Sequence, residues 1–295
     1  MKHVLVAAVL AFGAIAPARA QTSPCPPAGY DRARLEALKQ AGWVLPNERE
    51  RNRLARAMTG CLASPDPALR DGVAFEALAH WLRERLLNQA TMLALADDLE
   101  TRLAAPEGRG FERPFAALAL SEVARADRVQ AYLTPQRRSR MLDASIAYFS
   151  GVRDYRGFDE RDGWRHGVAH GADLLLQLSL NPALGKLELE RIRDAIAAQV
   201  SPSAQFYVYG EPERLARPIN FMAQRGLIPE VEWTRWFAQF PPAQGENLFA
   251  SQAGLAQRHN VIAFLQSVWI NARLSQNTAD DVLLPGSEAA LRAMP

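Results

Sequence analysis

The sequence predicts an all-α protein built as a stack of antiparallel helical hairpins, of the α-solenoid or α-α superhelix kind. Three observations predict it. Apolar residues recur at helical spacing in nearly every segment long enough to judge. The connections are short and carry Pro, Gly, Asp or Asn, as at Ser64-Pro65, Asn181-Pro182 and Pro241-Pro242. No run of alternating β-branched residues competes, and 205–209 is the one short stretch that reads as a strand.

In chain order, 31–42 sets Leu35, Leu38 and Trp43 near one face, and 47–62 repeats the pattern with Leu54, Met58 and Leu62. Asp66-Pro67 is a helix start, and the run to residue 87 keeps Val73, Phe75, Leu78, Trp81, Leu82 and Leu86 apolar. Further helices are predicted over 91–103, 113–126, 135–149, 163–180, 187–200, 212–225, 230–240, 253–274 and 279–294. Short turns between so many helices favour stacked hairpins over a four-helix bundle. No strict internal period is present.

The N-terminus has its own signature. Lys2 and His3 precede an apolar run from Val4 to Ile15, and Ala18-Arg19-Ala20 places small residues where a signal peptidase reads them. This predicts a secretory signal peptide over 1–20, cut before Gln21, and a periplasmic or secreted protein. The remainder, 21–295, is expected to be a single helical domain, with 21–65 as an N-terminal strap or cap. The leader's apolar run is shorter than the roughly 20 residues needed to span a bilayer, and no second run of that length follows, so no transmembrane segment is expected in the mature chain.

The 34 basic and 32 acidic residues become 32 and 32 once Lys2 and Arg19 leave with the leader. A balanced charge gives no reason to expect nucleic acid as a partner. The two cysteines, Cys25 and Cys61, form an even pair, which in an exported chain reads as a disulfide rather than two free thiols. Closing that loop contributes about 3–4 kcal/mol in the chain-entropy picture.

The stretch from Gly163 to Asp173, Gly-Trp-Arg-His-Gly-Val-Ala-His-Gly-Ala-Asp, concentrates two of the five histidines. On one helix His166, His170 and Asp173 fall on a single stripe. Three chemistries fit. His166 and His170, one turn apart, are at a spacing at which two imidazoles share a divalent metal such as zinc, with Asp159, Glu211, Glu213 and His259 as candidates for further ligands. Alternatively His170 acts as an acid/base with Asp173 accepting its second ring N–H. In the third reading the polar groups are sealed between helices, because Gly163, Gly167 and Gly171 recur every four residues and suit a close neighbour. Gly167 stands where a zinc-protease helix would carry its general-base Glu, and no Gly-x-Ser-x-Gly elbow exists, so those two hydrolase classes are excluded.

The same residues carry a resemblance. Tyr155-Arg156-Gly157-Phe158-Asp159, followed by Gly163-Trp164-x-His166-x-x-Ala169-His170-x-Ala172-Asp173-Leu174-Leu175, resembles the signature of the bacterial family called domain of unknown function 2785. Asp66-Pro67-Ala68-Leu69-Arg70-Asp71, leading into Glu76 and Trp81, and Glu211-x-Glu213-Arg214-Leu215-Ala216 are similar as well. The resemblance implies an all-helical, solenoid-like domain without an assigned activity, and it marks Arg156, Trp164, His166, His170 and Asp173 as motif positions. Two departures stand out: Arg113-Pro114-Phe115-Ala116 lacks the hydroxyls of an Arg-Ser-Phe-Ser-like start, and the leader sets this chain apart from cytoplasmic relatives.

The functional expectation is a binding or scaffold protein for a protein or small-molecule partner, since stacked hairpins offer extended surfaces. The alternative is a metal-assisted or acid/base hydrolase on the same face. Arg156, Trp164 and Glu213 are the candidate ligand contacts, with Arg156 folding back over the histidines to clamp an anion. His170 and Asp173 are the candidate catalytic pair, and His166 with His170 the candidate metal ligands.

Overall fold

Helix starts in this chain are written in side chains that cap them. The computed structural model describes residues 25–243 and 247–295, so the leader over 1–20 lies outside the described residues. α1 (Arg32–Gln40) and α2 (Glu48–Met58) begin where Asp31 and Asn47 accept from backbone N–H groups three residues on, at 2.8 and 3.0 Å. A 3-10 turn, Thr59–Ala63, follows. Its Cys61 is joined to Cys25 by a disulfide with Cα atoms 5.0 Å apart, tying the segment ahead of α1 to the turn after α2.

Asp66 caps α3 (Pro67–Leu69), which runs directly into a π-helical segment, Arg70–Phe75, and then α4 (Glu76–Arg83). The helix expected over 66–87 is therefore continuous only to Arg83, and widened in the middle, where each hydrogen bond spans one residue more. π segments of this kind concentrate at functional sites. α5 (Gln89–Leu103), α6 (Glu112–Val129) and α7 (Pro135–Ser150) follow, with Asn88 and Thr134 as N-caps and Pro135 at the first helical position.

Beyond α7 the chain departs from the sequence expectation. The strand appears at β1 (Phe158–Asp159) and β2 (Gly163–Trp164), not at 205–209. The two pair antiparallel, Phe158 opposite Trp164 and Asp159 opposite Gly163. Asp159 closes the turn by accepting from the N–H groups of Arg161 and Asp162, and Gly163 takes a positive φ there. The remaining helices are α8 (Gly167–Ser179), α9 (Lys186–Ala197), α10 (Glu211–Ala223), α11 (Glu230–Phe237), α12 (Gln252–Leu274) and α13 (Leu284–Ala293). The last predicted helix, 279–294, is split, with a 3-10 turn over Thr278–Leu283 ahead of α13.

Apolar faces set the packing. α6, α8, α10 and α12 lie against one another in that order, while α5, α7 and α9 pack in sequence behind them. α8 is apolar nearly all round and is enclosed on nearly every side, with Leu174, Leu175 and Leu178 fully buried. This placement brings the N-terminal ends of α8 and α10 and the π segment to one cleft. Among the described residues no helix is long and apolar enough to cross a membrane.

Candidate functional site

The cleft, of about 700 Å³, is walled by four parts of the chain distant in sequence. Asp71 and Phe75 come from the π segment, and Phe115 and Leu118 from α6. Trp164, His166 and His170 come from the hairpin and α8, and Tyr209, Glu213, Arg214 and Arg217 from the start of α10.

His166 does not lie on the helix. It is the N-cap of α8, in left-handed backbone conformation at φ 55°, so it leaves the stripe expected for it with His170 and Asp173. Two ladder bonds impose this. Arg165 N donates to the Gly157 carbonyl at 3.0 Å and His166 N to that of Arg156 at 3.1 Å, extending the hairpin to the first residue of the helix. A non-glycine residue held in this region stores strain, a recurrent property of functional positions.

The two rings still meet. Their centroids are 5.7 Å apart, and Trp164 stacks on His166 at 4.6 Å with planes 21° apart. Phe115 meets the His170 ring edge-on at 4.9 Å. Both histidines are buried, and His166 Nε2 and His170 Nδ1 have no hydrogen-bond partner. Burial, reinforced by the Arg214 charge, pushes His166 down to about 4; burial, then the neighbouring His166 and Arg214, pushes His170 well below the usual imidazole range. Both rings are thus neutral at physiological pH.

Asp173 does not orient His170. Its carboxylate pairs with the Arg214 guanidinium, with Arg217 4.0 Å away, because α10 crosses α8 there and presents both arginines. Burial nonetheless raises the pKa of Asp173, against the pull of Arg214. Arg156 also sits elsewhere: it binds Asp154 and stands outside the cleft lining, so it does not clamp over the histidines. Asp162 pairs with Arg161 and Arg165.

Among the other candidate metal ligands, Asp159 is spent on its turn, and His259 contacts the Tyr207 carbonyl at 3.0 Å. Glu213 lines the cleft. Glu211 is buried, receives the Tyr209 N–H at 2.9 Å, and holds its other oxygen 3.9 Å from His166 Nε2; burial raises its pKa. Among the described residues no group of three or more His, Cys, Asp or Glu side chains is arranged to hold a metal ion.

Several cleft residues carried no signal of their own in the helical pattern. Asp71 is held by Arg70, which is wholly buried between the rings of Phe111 and Phe115 and donates to the carbonyls of Ser64 and Asp162. Asp71 and Arg214 do lie in the two flanking stretches of the family resemblance, which is the signal that pointed to them. Phe75, Phe115, Tyr209 and Arg217 read as core or surface by periodicity alone.

No curated protein and no solved structure matches the chain. The model of one family does, over residues 105–270, more than half of the sequence and including both histidines, Trp164 and Arg214. The chain belongs to that family, which is described as Protein of unknown function (DUF2785).

Proposed function

We propose that this protein is an exported helical binding protein that seats a small polar ligand in the cleft between α6, α8 and α10. The observation that carries this reading is an open cavity lined by His166 and His170, each of which holds a buried imidazole nitrogen without a hydrogen-bond partner. A buried polar atom without a partner costs about 1–3 kcal/mol, so two on residues of one cleft wall are accounted for by a ligand that completes them as the side chains covering them give way. The cleft volume is also within the small-molecule range of about 300–1,000 Å³.

The hairpin stacking is part of this proposal, and the succession α6, α8, α10, α12 in front with α5, α7, α9 behind supports it. Export is supported by the leader signature and by the Cys25–Cys61 disulfide, which suits an oxidising compartment. N-terminal sequencing of protein recovered from the periplasm or medium is expected to begin at Gln21; full-length protein retained in the cytoplasm would refute export.

The ligand reading is tested by native mass spectrometry of untagged protein beside Trp164→Ala and His170→Ala. A small molecule retained by the wild type and lost from both variants is expected, together with thermal stabilisation by members of a metabolite panel. Identical behaviour of all three proteins throughout would overturn it.

A second reading, acid/base hydrolysis, is favoured by one observation, the approach of Glu211, whose pKa burial raises, to the neutral His166. Its metal-assisted form needs a third ligand beyond His166 and His170. Elemental analysis of wild type beside a His166→Ala/His170→Ala double variant decides that form: near-stoichiometric zinc lost in the variant supports it, and a metal-free wild type indifferent to added zinc removes it.

A further inference from the structure

On the reading that the cleft binds a ligand, its lining narrows the ligand's chemical class. Its charged groups are of both signs. Arg214 and Arg217 only donate, whereas Asp71 and Glu213 in their ionised forms only accept. Glu213 has no ion-pair partner among the described residues, and Arg217 has only the distant Asp173. An anion seated here would face the carboxylates and a cation the guanidinium groups. In the neutral imidazoles one ring nitrogen is a donor and the other an acceptor, so the unpartnered His166 Nε2 and His170 Nδ1 ask for a group that can serve either way.

The hydroxyl group meets all of these demands. It donates to a carboxylate or a bare ring nitrogen and accepts from a guanidinium or an N–H. Two neighbouring hydroxyls also match the fork of an arginine or a carboxylate. The aromatic residues supply the other half of the recognition. Trp164 and Tyr209 stand at the rim with rings 5.9 Å apart and nearly perpendicular, each still more than a third exposed. Phe158, paired with Trp164 across the hairpin, is 47% exposed and widens the same apolar edge. Such surfaces cover the C–H face of a saturated ring while leaving its hydroxyls free to turn inward.

We propose that the ligand is a neutral carbohydrate, its ring lying against Trp164 and Tyr209 and its hydroxyls reaching the two histidines, Glu213 and Arg214. The full mature chain with its disulfide intact is titrated with xylohexaose, cellohexaose, maltohexaose and chitohexaose, followed by calorimetry and tryptophan fluorescence. Inorganic phosphate, glutarate and spermidine serve as charged probes. Trp164→Ala, Glu213→Gln and Arg214→Gln are compared after thermal melts establish that each is folded.

Saturable binding of at least one oligosaccharide is expected, weakened about tenfold by Trp164→Ala and several-fold by Glu213→Gln. A charged probe that binds and is lost in Arg214→Gln or Glu213→Gln, with no oligosaccharide binding below about 10 mM, overturns the carbohydrate class and leaves the binding cleft standing. Oligosaccharide binding indifferent to all three variants overturns the assignment of the sugar to this site. No binding by any probe overturns the carbohydrate class, and the native mass spectrometry then decides the cleft itself.

Discussion

His166 and His170 are held neutral by burial and by nearby positive charge, and this gives the molecule a signed response to pH. Their folded-state values lie below the 6.5 of an unperturbed imidazole, so the unfolded chain takes up their protons first as pH falls. Their stabilising contribution is full above about 6.5 and is lost on acidification toward about 4 for His166, and further down for His170. Asp71, Asp173 and Glu211, raised by burial, act in the opposite sense. The expected result is therefore a difference: between pH 6.5 and about 4.5 the Tm of wild type falls more than that of His166→Gln. Parallel declines would mean that the folded protein already holds His166 charged. Gly157 makes a second prediction at this scale. A Cβ built there lands on the Tyr209 ring, and Tyr209 is exposed enough to swing away. Gly157→Ala is expected to leave the Tm within about 2–4 °C and to weaken cleft ligands by several-fold, since it displaces a wall rather than a core residue.

The helices place those residues by contact, and α7 against α8 is the closest example. A Cβ on Gly171 would meet Phe149 at 2.5 and 3.1 Å and Tyr148 at 3.2 Å, and the Phe149 ring is fully buried and has nowhere to go. Alanine improves helix propensity by about 1 kcal/mol, yet overpacking a closed core costs about 1–3 kcal/mol. Gly171→Ala is expected to be net destabilising in urea unfolding; a neutral or raised midpoint would show that α7 and α8 can separate. Gly167 is under less pressure, its Cβ meeting only ordinary contacts near 3.5 Å, while Gly163 is tight against Pro67 and Arg70 at 3.0 and 3.1 Å, so the four-residue glycine spacing does not reflect three approaches of one neighbouring helix. The π segment works in the same way at the opposite wall. By widening the helix at Arg70–Phe75 it lets Arg70 turn inward between two phenyl rings while Asp71 and Phe75 face the cleft.

Taken whole, the molecule builds its cleft from more chain than the family match covers. The match begins at residue 105, yet Asp71 and Phe75 precede it, α4 and α5 both pack on α6, and Arg70 underlies Phe115. A chain beginning at residue 105 would expose the apolar sides of α6 that these helices cover. It is expected to unfold without a cooperative transition by calorimetry, whereas the chain from residue 21 unfolds in one; a sharp, reversible melt of the shorter chain would show that the first 104 residues are dispensable for the core.

Residues alone determined much of this protein. Helical periodicity placed nearly every helix, because the amphipathic stripe is a local consequence of 3.6 residues per turn, and capping residues such as Asp31, Asn47 and Asp66 wrote the starts beside it. The pairing of Cys25 with Cys61 and the membership of the family were likewise legible, the first from an even count and the second from the clustered motif. What tertiary structure decided was the partner of each charged or polar group. The motif reads as one helix, but two hydrogen bonds to Arg156 and Gly157 turn His166 into a left-handed cap. Asp173 is one turn from His170, yet Arg214, forty-one residues later, takes it, because a guanidinium delivered by a crossing helix binds a half-buried carboxylate more strongly than a neutral imidazole does. Such choices depend on which helices cross, and no local pattern encodes a crossing.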